Sequence, residues 1–151
     1  MADVVDKATR SRMMAGIRGK DTKPEILLRK GLFARGFRFR LHDKRLPGKP
    51  DMVFPLYRAV ILAHGCFWHG HDCPLFKMPS SNTAFWKNKI ARNREVDAAT
   101  HISLKSLGWR VLTVWECSLK GPARLPDGRV VEKAAAWLLS DSGSRDIKGR
   151  P

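Results

Sequence analysis

Between residues 63 and 73 the chain reads Ala63-His64-Gly65-Cys66-Phe67-Trp68-His69-Gly70-His71-Asp72-Cys73, so eleven residues hold two thiols, three imidazoles and an adjacent aromatic pair. Core packing does not require such a density of metal-binding and stacking side chains, and the stretch reads as a chemical site. Cys66, His71 and Cys73 form a close trio, which Cys117 can complete from the end of a later predicted strand. Three cysteines and one histidine suit structural zinc, because four protein ligands leave no open position for water. All three cysteines of the chain are then used. The spacing is not that of a common zinc finger. His69 or His64 can stand in for His71, and three reduced, buried cysteines are the alternative to any metal.

With His71 on a metal, His69 stays free on a rigid loop, and an ordinary imidazole suits general acid or base work near neutral pH. Phe67 and Trp68, caught between metal ligands, can hardly both turn inward. Exposed aromatics on a basic protein stack on bases or wedge between them. Trp86, at the start of a helix bearing Lys and Arg, is either a further such group or a core residue packed on Ile90. Glu25, Asp51 and Asp97 are the acids available for a hard cation. A Mg²⁺ site needs only one or two carboxylates, with a main-chain carbonyl, waters and substrate phosphate completing it. Asp51 opens one predicted strand and Ala63 closes the next, so the spacing permits the Asp51 carboxylate and the Ala63 carbonyl to meet at one sheet edge. The plainer readings are a capped turn aspartate for Asp51 and a half-exposed first-turn acid facing the helix dipole for Glu25.

The elements that must position these residues follow from patterning. Residues 8–18 have helical composition, with Met13, Met14 and Ile17 on one side. Asp21-Thr22 caps a second helix with Pro24 in its first turn and Gly31 or Gly36 near its end; Glu25, Leu28 and Leu32 share its inner face. Phe37 to Leu41 alternate as a half-buried strand does, Leu46-Pro47-Gly48-Lys49-Pro50 is a turn, and extended segments run over 51–54 and 59–63. Residues 83–107 form the longest helix. There Ile90, Asp97 and Leu104 recur every seven residues, so Asp97 lies inward and needs a partner. Trp109 to Trp115 is a strand with Cys117 just past its end, Val130 to Leu139 is a closing helix, and residues 141–151 are a polar, loose tail. The order implies an α/β sandwich, one mixed sheet with helices against it, whose sites lie at strand ends.

Composition narrows the partner. Lys plus Arg number 29 against 14 Asp plus Glu, leaving a net +15 and a pI near 10.5. That excess on one ordinary domain calls for a polyanion, nucleic acid before anionic membrane. No apolar run approaches the roughly 18–20 residues of a spanning helix, and the polar, acid-bearing first residues do not make a signal peptide. The expectation is a soluble, cytoplasmic monomer with one domain over 1–140, of which 1–20 is a DNA-contacting arm. In a reducing compartment clustered Cys and His read as metal ligands before disulfides.

Several motifs together resemble the very-short-patch repair (Vsr) mismatch endonucleases: Asp6-Lys7-Ala8-Thr9-Arg10-Ser11, Leu46-Pro47-Gly48-Lys49-Pro50-Asp51, the 64–73 stretch, Leu107-Gly108-Trp109-Arg110-Val111 and Val114-Trp115-Glu116-Cys117. The resemblance covers residues 1 to about 140. It implies a restriction-endonuclease-like fold and nicking of duplex DNA 5′ to the thymine of a T:G mismatch, the lesion left by deamination of 5-methylcytosine. It implies Mg²⁺ held by Asp51 and the Ala63 carbonyl, His69 as the acid/base, Glu25 and Asp97 in support, and zinc on Cys66, His71, Cys73 and Cys117. It further implies that Phe67, Trp68 and Trp86 wedge beside the mismatch, that Met14 and Ile17 press from the opposite groove, and that Lys89 and Asn93 read the mismatched pair. Mismatch-repair proteins and a DNA cytosine-5 methyltransferase are the implied partners. Position 63 is Ala where a hydroxyl residue is expected, but only its carbonyl is asked to bind metal. Two rivals stand beside this reading: a restriction-type nuclease on the same fold that cuts intact sites, and a zinc-stabilised DNA-binding module without chemistry.

Overall fold

A computed structural model describes residues 22–151; the predicted first helix, with Met14 and Ile17, lies outside them. Among the described residues five strands form one mixed sheet in chain order: β1 (Arg40–Leu41), β2 (Met52–Phe54), β3 (Ala59–His64), β4 (Arg110–Trp115) and β5 (Arg145–Ile147). The β1–β2 and β2–β3 pairs are antiparallel, and the β3–β4 and β4–β5 pairs are parallel. Helices α1 (Lys23–Ala34), α2 (Thr83–Ser106) and α3 (Arg129–Leu139) complete the expected α/β architecture.

The central strands carry near-continuous apolar runs because both faces of the sheet are covered. Met52, Phe54, Ala59, Ile61, Leu112 and Val114 pack with Leu28 and Leu32 of α1 and with Val130, Ala134 and Leu138 of α3. The alternate residues Val53, Val60, Leu62 and Val111 meet Leu104 of α2 on the other face. Where α1 crosses α3, a Cβ on Gly31 would stand 2.5 Å from Val131 Cγ2. Glycine there permits the close approach, so Gly31 lies inside α1 and the helix runs on to Ala34. Thr22 holds the N-cap position without a side-chain hydrogen bond.

Two expectations about the edges are corrected. The 37–41 strand narrows to Arg40 and Leu41, paired with Val53 and Met52. Phe37 and Phe39 do turn inward, to ring-centroid distances of 6.4 and 5.3 Å from Phe54, but they pack without joining the ladder. The tail expected to be loose instead folds onto the sheet. β5 pairs with β4 in the register Leu112↔Arg145 to Val114↔Ile147, Ile147 is buried, and the Trp137 indole donates to Gly143 O at 2.9 Å. Arg110 ties these parts together. Its guanidinium donates to the carbonyls of Trp137 and Leu138 at the end of α3, and to those of Ser142 and Tyr57, at 3.0–3.3 Å. Carbonyls that a helix C-terminus leaves without partners are thereby satisfied.

Candidate active site and metal cluster

The loop after β3 and the turn after β4 meet because these strands are parallel neighbours, with His64 opposite Trp115. Cys66, His71 and Cys73 come from the first and Cys117 from the second, and one donor atom of each lies within 4.8 Å of all the others. His71 Nδ1 is 3.6 Å from both Cys66 Sγ and Cys117 Sγ. A tetrahedral zinc with Zn–S of about 2.3 Å and Zn–N of about 2.0–2.1 Å has an S···N edge of about 3.6 Å, so the donor set fits that geometry. Outer contacts hold these side chains. The backbone N–H of Cys117 donates to Cys66 Sγ and that of Gly149 to Cys117 Sγ, each at 3.3 Å, while the His71 ring stacks on Trp115 at 4.0 Å. Burial pushes the Cys66 and Cys117 thiols upward, and lowers His71 with help from the Lys148 charge. A bound cation reverses the penalty on the thiolates.

Beside the cluster opens a cleft of about 840 Å³ lined by Glu25, His42, Asp51, Ala63, His69 and Asn93, among others. Met52 pairs with Ile61, so one step further Asp51 stands opposite Leu62, and its side chain reaches on one residue, where Oδ2 accepts the Ala63 N–H at 2.6 Å. The two residues thus meet, as the spacing permits, with the N–H as the group in contact. Burial drives Asp51 up to about 7, against the Ala63 N–H, with Glu25 adding to the rise and Arg29 and His69 opposing it. Glu25 is not half-exposed but buried, 4% accessible, and is bonded by Arg29 at 3.0 Å.

Asp97 finds its partner on the 64–73 loop, where His69 Nδ1 and Asp97 Oδ2 are 2.5 Å apart. Burial raises the Asp97 carboxyl, but the hydrogen bond and charge of His69, with His64 and His101, outweigh it and leave the group lowered. Bonding at Nδ1 leaves His69 Nε2 for the cleft. His64 stacks on His69 at 3.9 Å and is pushed down to about 3, by burial first and then by His69. It is held as a neutral, packed ring.

Phe67, Trp68 and Trp86 form a half-buried cluster with centroid distances of 5.1, 5.3 and 5.8 Å, so Trp86 packs on aromatics of the loop. Phe85, 60% exposed, extends the cluster at 5.2 Å from Trp86. Asn93 Nδ2 donates to Trp68 O at 2.7 Å, and Lys89, one turn earlier on α2, also faces the cleft. Sequence reasoning missed Arg29, His42 and Phe85. Arg29 stood one turn after Glu25, which was signal enough; His42, in the turn after β1, carried none.

The fold and cleft define an α/β domain that sets a buried carboxylate, an imidazole and an aromatic loop around one cleft. Comparison with known proteins says which. Residues 2–75 match the family model described as DNA mismatch endonuclease Vsr. The chain is 48% identical over 147 residues to the DNA mismatch endonuclease Vsr of Escherichia coli, covering 97% of this chain and 94% of the relative. It is 48% identical over 123 residues to the type II nicking enzyme V.NmeAIP of Neisseria meningitidis (82% and 88% covered), and 45% identical over 119 residues to V.XorIIP of Xanthomonas oryzae (79% and 88%). The chain belongs to the Vsr family of DNA mismatch endonucleases.

Proposed function

We propose that the protein nicks duplex DNA on the 5′ side of the thymine in a T:G pair, by Mg²⁺-dependent hydrolysis on a restriction-endonuclease-like fold. The observation that carries this reading is a single cleft shared by the Asp51 carboxylate, the His69 imidazole and the aromatic loop. Asp51 and the Ala63 carbonyl would hold Mg²⁺, which when bound polarises the phosphate and lowers the barrier to attack by water. His69, fixed by Asp97 at Nδ1, takes the proton of the attacking water at Nε2. The water oxygen bonds to phosphorus, and the bond to the leaving 3′ oxygen breaks. Asp97 keeps the imidazole in the required tautomer and stabilises its charged form, and Glu25 supports the pocket charge.

Phe67, Trp68 and Trp86 enter the stack beside the mismatch, and Lys89 and Asn93 contact the mismatched pair from α2. A mismatched step is already poorly stacked, so opening it costs less than opening a matched one. Met14 and Ile17 press from the other groove. Zinc on Cys66, His71, Cys73 and Cys117 fixes the loop that carries His69 and the aromatics. The protein acts in the cytoplasm as a monomer after a DNA cytosine-5 methyltransferase, with mismatch-repair proteins as further partners.

The experiment is Asp51→Ala in zinc-loaded protein, with binding and nicking of a T:G duplex measured together. Loss of nicking with affinity retained supports the nuclease. Binding without nicking, in the wild type as in Asp51→Ala, would leave only a DNA-binding module.

A further inference from the structure

We propose that Lys49 is a catalytic residue of the cleft: its ammonium meets the non-bridging oxygens of the scissile phosphate and shares the negative charge that builds there during hydrolysis. This rests on the reading of Asp51 as the metal-binding carboxylate beside that phosphate. The starting observation is backbone geometry. Lys49 has φ +45°, a region that a residue with a Cβ enters at a cost. Pro50 follows it, and the residue before a proline is normally held in extended backbone. Glycine would take this position more cheaply. The turn is not loose. The Lys49 N–H donates to Leu46 O at 3.2 Å and the Leu46 N–H to Asp43 O at 3.3 Å, while Arg45 bonds the Asp43 carboxylate through its backbone and its guanidinium at 2.9–3.0 Å. A Cβ on Gly48 would stand 2.5 Å from Thr100 Cγ2, so the turn is packed against α2, the helix that carries Asp97.

Among the described residues three other non-glycine positions have positive φ, and each shows a reason. Arg58 donates to Leu107 O at 3.0 Å and lies 4.7 Å over the Trp109 ring. His42 Nε2 meets Arg29 at 3.0 Å. Asn82, just before α2, is a residue type that tolerates left-handed backbone. Lys49 differs. Its side chain lines the cleft, and among the described residues no carboxylate pairs with its ammonium. The acids of the cleft have other partners: Glu25 accepts from Arg29, Asp51 from the Ala63 N–H and Glu116 from the Cys66 N–H. Strain of this kind gathers at ligand and catalytic sites, and a cation so held, two residues before Asp51, suits an anion that arrives with the substrate. Lysine binds phosphate as a point charge. In phosphoryl transfer the charge spreads over the non-bridging oxygens, and a fixed cation stabilises it there without giving or taking a proton.

The test measures single-turnover nicking of a T:G duplex at saturating protein with Mg²⁺, beside duplex affinity and urea unfolding, for zinc-loaded wild type, Lys49→Met, Lys49→Arg and Lys49→Gly. Lys49→Met is expected to nick about 10²–10³-fold more slowly with affinity lowered only a few-fold, and Lys49→Arg to recover most of the rate. Lys49→Gly is expected to nick as slowly as Lys49→Met while its urea midpoint stands at or above that of the wild type, because the strain is gone. A second duplex, with one uncharged methylphosphonate at the scissile position, reads the contact itself. Without Mg²⁺, the affinity that Lys49→Met loses on the ordinary duplex should vanish on this one. Near-wild-type nicking by Lys49→Met, a lowered midpoint in Lys49→Gly, or the same affinity loss on both duplexes overturns the inference and leaves the nuclease reading intact, since the wild type still nicks. A wild type that binds and does not nick overturns both.

Discussion

His69 has Nδ1 bound to Asp97 and Nε2 left for the cleft, and the proposed mechanism, which gives Nε2 the proton of the reaction, makes residue-level predictions. His69→Ala should slow nicking by about 10²–10⁴-fold while affinity for a T:G duplex stays within a few-fold, measured by single-turnover cleavage and by titration. Equal losses in both would make His69 a binding residue. Asp51 adds a pH dependence. Its carboxyl is raised to about 7, above its ordinary value of 3.8, mainly by burial. A group raised on folding contributes stability below its unfolded value and loses it as pH climbs through the folded one. Zinc-loaded, magnesium-free wild type should therefore lose up to about 4 kcal/mol relative to Asp51→Asn between about pH 4 and about pH 8, read by urea unfolding. Added Mg²⁺ should cancel the loss, because a cation on the ionised carboxylate offsets its desolvation.

At the scale of elements, the C-terminal segment belongs to the Cys/His cluster. Gly149 donates to Cys117 Sγ at 3.3 Å, and a Cβ on Gly149 would stand 2.7 Å from the carbonyl oxygens of both Ala123 and Cys117. Removal of residues 145–151 should weaken zinc retention by about 10–100-fold, seen as faster release to a chromogenic chelator, and Gly149→Ala should move in the same direction. Unchanged release would reduce β5 to an ornament of the sheet. In the core, Leu104→Ala should cost about 2–5 kcal/mol of unfolding free energy, since Leu104 is fully buried where α2 meets the sheet. The sequence showed α2 and α3 clearly because their length and heptad or amphipathic spacing repeat over several turns. It showed the 64–73 stretch because its chemistry resides in residue types. β5 was hidden because it has one buried apolar side chain, Ile147, and is held by backbone pairing that no residue type announces. Glu25 misled because a first-turn acid is explained by the helix dipole alone, although Arg29 one turn on gave the signal for the ion pair that accompanies its burial. His42 enters the site only through the bend after β1, where backbone geometry decides where its ring goes.

For the whole molecule, charge and shape act together. A net +15 draws the protein to duplex DNA whatever its sequence, and DNA affinity should fall steeply with salt, log affinity against log salt giving a straight line. No helix among the described residues is long and apolar enough to cross a membrane. In the proposed mechanism selectivity arises where the aromatic loop and the cleft adjoin, at the cost of opening one base step. The most direct measurement is strand-resolved cleavage of a T:G duplex and its C:G twin, in the context of a methylated cytosine, by zinc-loaded protein with Mg²⁺. A single nick 5′ to the mismatched thymine, with the C:G duplex intact, is the predicted result. Equal cutting of both duplexes, or a nick in the guanine strand, would contradict the account.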